Sequence, residues 1–129
     1  ERRLRLGACA RIDEAHALAS RSELARSDLA SWLSGFASLE PMGSIAWKLA
    51  VIARGEADFT LSLAPKHEWD VCAGDLIVRE AGGRYVDLAG QARIYNQPQA
   101  RIGPGMLAGP PELIEAFLAT AEARDLRRR

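Results

Sequence analysis

The sequence predicts an α/β domain in which helices are layered against one sheet. Three observations predict it. Short apolar runs alternate with stretches of helical periodicity along the whole chain. Glycine, proline and serine punctuate the changes from one to the other. Hydrophobic residues make up 48% of 129 residues, enough for one core, and a domain near this size buries roughly two-thirds of its unfolded surface.

Each element follows from local chemistry. His16-Ala17-Leu18-Ala19-Ser20 reads as a short strand, after which Ser22 is placed to cap a helix from about Glu23. Leu29, Trp32 and Leu33 share one face of that helix, and Gly35 ends it. Ala37-Ser38-Leu39-Glu40 forms a second strand, stopped by Pro41 and turned at Gly43. Ser44 suits the N-cap of the next helix, in which Ile45, Leu49 and Ile52 share a face and Gly55 is the left-handed C′ residue. Phe59-Thr60-Leu61-Ser62-Leu63 alternates apolar with small polar residues, the pattern of a half-buried strand.

After Pro65 a helix runs from about Asp70 to Ala81, closed by Gly82-Gly83. Arg84-Tyr85-Val86-Asp87 is a strand entering an Ala89-Gly90 turn, and Met106-Leu107-Ala108 is another strand. Pro110-Pro111 opens a final helix, where proline's missing N–H is harmless. Its stripe is Leu113, Ile114, Phe117, Leu118 and Ala121.

Composition excludes several function classes. The 17 basic and 17 acidic residues balance, so nothing in the net charge favours nucleic acid or an anionic membrane as partner. The run Arg127-Arg128-Arg129 reads as a solvated tail. Cys9 and Cys72 form neither a disulfide framework nor a zinc motif, and buried free thiols in a reducing cytoplasm are the expectation. No run approaches the ~20 apolar residues of a membrane span. Glu1-Arg2-Arg3-Leu4-Arg5 lacks the apolar region of a signal peptide. The chain also lacks an initial Met, which suggests a piece of a longer protein.

Two segments carry possible chemistry. In Met42-Gly43-Ser44-Ile45-Ala46-Trp47-Lys48-Leu49, a glycine and a capping serine precede a helix. Such a terminus either caps an ordinary turn or offers N–H groups to an anion or a sugar hydroxyl. In Glu68-Trp69-Asp70-Val71-Cys72-Ala73-Gly74, Asp70 is an N-cap, a Mg²⁺ ligand, or both, since one carboxylate oxygen can cap while the other coordinates. Gly74 allows another backbone to come close, and Glu80 reads as a solvated acid. Lys48, Lys66 and His67 are either solvated charges or contacts for an anionic ligand.

Four segments in order carry a resemblance: Gly43-Ser44-x-Ala46, Ile52-Ala53-x-Gly55-x-Ala57-Asp58, Trp69-Asp70-x-x-Ala73-Gly74 and Glu80-Ala81-Gly82-Gly83. Together they resemble the carboxyl-terminal half of the inositol monophosphatase superfamily. The resemblance implies a mixed sheet with helices, the C-terminal subdomain of that sugar-phosphatase fold, over residues 1–129. It implies lithium-sensitive, Mg²⁺-dependent hydrolysis of a small phosphorylated metabolite, with metal ions activating water and stabilising the leaving oxygen. Asp70 matches the metal ligand of the family's Trp-Asp motif. Gly43 and Ser44 match substrate-contacting positions; Ile45 matches the third less well, because that residue is usually small.

The departures matter equally. The family's other ligands come from Glu-Glu and Asp-Pro-x-Asp-Gly-Thr segments of an amino-terminal half, and no D-x-x-D-G-[ST] pattern occurs here. One matched carboxylate cannot strip Mg²⁺ of its water shell. The expectation is a chain inert by itself, completed by a missing amino-terminal half, with homodimerisation also open. Inositol-specific members place an acid where Ser62 falls, whereas Lys48, Lys66 and His67 lean towards the 3′(2′),5′-bisphosphate nucleotidase-like branch. A non-catalytic phosphate- or nucleotide-binding domain, or an assembly subunit, is the competing reading.

Overall fold

The computed structural model describes residues 2–129. In chain order the elements are β1 (His16–Ala19), α1 (Arg21–Arg26), α2 (Leu29–Trp32), β2 (Ser38–Pro41), α3 (Ile45–Ala53), β3 (Phe59–Ser62) and β4 (Lys66–His67). There follow α4 (Glu68–Glu80), β5 (Arg84–Val86), β6 (Arg101–Ile102), β7 (Met106–Gly109), α5 (Pro111–Leu118) and α6 (Ala121–Arg128). Five strands form one mixed sheet in the order β2-β1-β3-β7-β5. β1 is parallel to β2 and β3, and β7 is antiparallel to β3 and β5. The expected α/β class and mixed sheet are therefore present.

Side-chain alternation along the strands sorts the core into two faces. Ala17, Ala19, Phe59, Leu61, Val86 and Leu107 meet the helices α2, α5 and α6. There Phe59 lies 4.7 Å from Phe36 and 5.0 Å from Phe117, ring centre to ring centre, in tilted contact. Leu18, Tyr85, Met106 and Ala108 point the other way, where α3 and α4 cover them. Both faces are thus closed, and this corrects the half-buried expectation for β3. Thr60 and Ser62 are 0% and 1% exposed. Burial is tolerable because Thr60 Oγ1 donates to the Leu18 carbonyl at 2.9 Å and Ser62 Oγ to Glu23 Oε2 at 2.7 Å.

Several boundaries differ from the sequence reading, each for a local reason. Ser20, not Ser22, caps α1 by accepting the Glu23 N–H at 3.5 Å. The long helix expected beyond Glu23 is two short ones. Ser27 Oγ donates to the Glu23 carbonyl at 2.6 Å and accepts from Leu29 N–H at 3.2 Å, diverting the backbone ladder. Pro41 belongs to β2 rather than stopping it, because β2 is an edge strand and tolerates a missing donor. The final helix breaks at Thr120, whose Oγ1 accepts from Ala123 N–H at 3.1 Å and starts α6. Ala121 is therefore exposed, and Ala123 and Leu126 are the buried residues of α6. The β4–β6 pair is too short to announce itself by periodicity.

Gly55 is the left-handed C′ residue of α3 as expected, with φ +76°. Gly74 does permit a close approach, but of a side chain: a Cβ there would lie 2.4 Å from Leu49 Cδ1. Both cysteines are free, yet neither is buried: Cys9 is half-buried and Cys72 exposed. Val71, one residue earlier on α4, is the one that faces the core. No described helix is long and apolar enough to cross a membrane.

Candidate active site

The site residues gather where β1 and β3 end and α3 and α4 begin. Ser44 caps α3, its Oγ accepting the Trp47 N–H at 3.2 Å. Its backbone has φ +65° and ψ 115°, a conformation that L residues rarely adopt and that costs of order 1–3 kcal/mol. Gly43 leaves this turn open, and the Arg21 guanidinium would lie 3.8 Å from a Cβ placed there. Ile45 packs partly into the cluster around Leu49 and Val71 rather than standing free.

Lys48 is no solvated charge. It is 2% exposed, and its Nζ donates to the Met42 carbonyl at 3.1 Å, beneath the Gly43-Ser44 turn. Burial holds its pKa below the ordinary ammonium value, and the positive charge of Lys66 lowers it further. Lys66 Nζ donates to Ser62 Oγ at 2.7 Å and to the Ala64 carbonyl at 3.1 Å. Its pKa is also lowered by burial, against the pull of Glu23 and Asp70. His67 instead stacks on Trp69, with ring centres 4.5 Å apart, and remains exposed.

Asp70 is the third residue of α4, not its N-cap. Oδ2 accepts the His67 N–H at 2.8 Å, the reach-back half of a capping box, so the helix starts at Glu68. Oδ1 has no hydrogen-bond partner among the described residues, and the side chain is 39% exposed. One oxygen is thus committed to the helix and one is open. Among the described residues no group of three or more His, Cys, Asp or Glu is placed to hold a metal ion. Asp70 fits the part of one ligand to a hydrated hard cation, and the described residues do not complete a Mg²⁺ shell.

Sequence reasoning missed Glu23. The spacing Ser20-x-x-Glu23 is the signature of a capping box, but the carboxylate turns to the end of β3. It accepts from Ser62 Oγ at 2.7 Å, Leu63 N–H at 2.6 Å and Ala64 N–H at 3.0 Å. An acid therefore stands beside Ser62 after all, supplied by another segment. Lys66, the Arg21 guanidinium near Gly43 and the start of α3 bring positive charge to this end of the sheet, with Lys48 buried beneath the turn and the Glu23 carboxylate acting on both lysines.

Comparison with known proteins identifies the family and the fold. The model of the inositol monophosphatase family matches residues 4–125. The 3′(2′),5′-bisphosphate nucleotidase of Emericella nidulans is 35% identical over 81 residues, covering 58% of this chain and 23% of that protein. Nus factor SuhB of Escherichia coli is 38% identical over 79 residues, covering 60% of this chain and 26% of its own length. Among solved structures, inositol monophosphatase-II of Staphylococcus aureus superposes with a TM-score of 0.77 at 17% identity, over 97% of this chain and 47% of its own. The Thermotoga maritima IMPase gives 0.75 at 19% identity, over 98% and 47%. At such identities the superpositions show the fold alone. The chain spans about half the length of those structures. With residues 4–125 matched by the family model, the chain belongs to the inositol monophosphatase family.

Proposed function

We propose that the chain forms one wall of a Mg²⁺-dependent phosphomonoesterase acting on a small phosphorylated metabolite. The observation that carries this reading is Asp70, whose Oδ1 has no partner among the described residues and whose charge acts on the partly buried Lys66. Asp70 supplies one oxygen to the metal. The Gly43-Ser44 turn and the α3 terminus receive the phosphate or hydroxyls of the substrate, with Ile45 contributing at most its backbone. Lys48 and Lys66 offset the negative charge of the ester. Bound Mg²⁺ supplies Lewis-acid activation of water and of the leaving oxygen. The remaining carboxylate ligands come from residues outside this set, in a covering amino-terminal half. Trp47 and Trp69, 51% and 68% exposed, and Leu76, 50% exposed, support such a cover over α3 and α4.

Phosphate release tests this directly, with inositol 1-phosphate and adenosine 3′,5′-bisphosphate as substrates. We expect no release by the 129-residue chain alone. In a longer protein whose preceding residues include an Asp-Pro-x-Asp-Gly-Thr segment, we expect Mg²⁺-dependent release, inhibited by Li⁺ and abolished by Asp70→Ala. Robust turnover by the short chain, lost in Asp70→Ala, refutes the division of ligands. Full activity of Asp70→Ala in the longer protein refutes the role of Asp70. The relative rates on the two substrates decide between the inositol phosphatase and nucleotidase branches.

A further inference from the structure

Asp70 does not set its own direction. Its Oδ2 accepts the His67 N–H at 2.8 Å, so the open Oδ1 points where the backbone at His67 places it. Val71 and Val78, both 0% exposed, fix the body of α4, but both follow Asp70 in the chain. The turn that carries Asp70 starts from β4, which has one short pairing, Lys66 opposite Ile102 and His67 opposite Arg101. A two-stranded pair by itself is marginal in water. A further hold on this turn is needed.

Glu68, the first residue of α4, provides it. Its N–H donates to the Ala100 carbonyl at 2.8 Å. Its carboxylate, in a side chain only 13% exposed, accepts from Arg93 Nη2 at 3.0 Å, Asn96 N–H at 3.0 Å and Gln97 N–H at 3.2 Å. Asn96 has φ +64°, in the left-handed region. That backbone turns two successive N–H groups toward one point, a nest for an anion. Asparagine tolerates it, whereas a β-branched residue is strained there.

Farther along α4, buried Asp75 accepts the Tyr95 hydroxyl at 2.6 Å and Arg79 Nε at 2.8 Å. The helix thus clasps the loop of residues 93–97 at two points. Apolar burial adds little to this hold, since Ile94 is 74% exposed and residues 96–99 are exposed. Hydrogen bonds to a charged group are roughly twice as strong as neutral ones, so the Glu68 end is the firmer anchor for β4 and the first turn. Three of the roughly four acceptor sites of a carboxylate are taken there, which leaves Glu68 ill suited to be a second metal ligand.

We propose that Glu68 is a positioning residue. By filling the nest of the 93–97 loop it fixes the His67 backbone, and through the His67 N–H it fixes the direction of Asp70 Oδ1. Its part in catalysis rests on the phosphatase reading, because only there does Asp70 meet a metal ion. The coupling from loop to Asp70 does not depend on that reading and is read without metal or substrate.

Hydrogen exchange of the whole chain tests the coupling. In Glu68→Gln one of the three donors meets an amide NH₂ in place of an acceptor. The His67 amide is then expected to exchange at least tenfold faster, with residues 75–80 changed less than twofold. Asn96→Val strains the nest from the loop side and should act in the same way, whereas Asn96→Gly keeps the left-handed turn and should leave His67 unchanged. Unchanged His67 exchange in a folded Glu68→Gln or Asn96→Val overturns the proposal. So does equal acceleration along all of α4, the mark of lost stability alone. If Glu68→Gln does not fold, Asn96→Val decides. In the longer protein of the phosphate-release assay, Glu68→Gln should raise the Mg²⁺ concentration for half-maximal rate at least tenfold at unchanged substrate KM, and an unchanged Mg²⁺ dependence there refutes the catalytic part. An inactive longer protein counts against the phosphatase reading instead, and the exchange rates still decide the coupling.

Discussion

Replacing Gly74 with alanine separates two effects that usually travel together. In a helix interior alanine is favoured over glycine by about 1 kcal/mol, so an isolated α4 would gain. The structure opposes this. The new Cβ would stand 2.4 Å from Leu49 Cδ1 and 3.0 Å from Leu49 Cβ, whereas carbon atoms pack best at about 3.5–4.0 Å. Leu49 is 0% exposed and has little room to turn away. Overpacking of this kind costs about 1–3 kcal/mol, which leaves Gly74→Ala destabilising by about 1 kcal/mol.

The sharper measurement is the double-mutant cycle. Leu49→Ala alone should cost about 2–5 kcal/mol; it removes Cδ1 and Cγ but leaves the Cβ that would stand 3.0 Å away. In that background Gly74→Ala should lose most of its cost, a coupling of about 1–3 kcal/mol. Urea midpoints at unchanged slope report both values. If Gly74→Ala stabilises the parent chain by its full helix-propensity gain, or acts equally in both backgrounds, the packing of α3 against α4 is wrong. The position of Ser44 relative to Asp70 would then be wrong too.

Tyr95→Phe removes the hydroxyl bonded to buried Asp75; the expected loss is about 1–2 kcal/mol, with faster amide exchange across residues 93–97, and unchanged exchange there would contradict the clasp. Lys48 and Lys66 have folded pKa values below their ordinary value because burial penalises the charged form. The unfolded chain therefore binds more protons between the folded values and about 10.4, and stability should rise with pH across that window. Lys48→Met should shrink that rise; an identical pH dependence of the urea midpoint would argue against a charged, buried Lys48.

Much of the fold was legible because periodicity and punctuation are local. The Ser44 cap, the Gly55 terminus, the strands around Leu18, Tyr85 and Leu107, and the proline start of α5 all follow from neighbouring residues. Errors came where a side chain overruled the pattern, as with Ser27 diverting the ladder of α1 and Thr120 restarting the last helix. The two-residue pair of β4 and β6 exists only through its partner strand, which no window of sequence contains.

The site divides in the same way. The sequence by itself determined the family, because the Gly-Ser, Trp-Asp and Gly-Gly segments occur in order at family spacing. It also singled out Asp70 as the candidate metal ligand. Only the tertiary structure decided which oxygen of Asp70 is open and that Lys48 is buried under the Gly43-Ser44 turn. It alone brought Glu23 to Ser62 across 39 positions, and joined Glu68 to the loop at Asn96. The reason is physical: motif spacing records short-range backbone chemistry, whereas burial and long-range hydrogen bonds arise only once the layers close on one another.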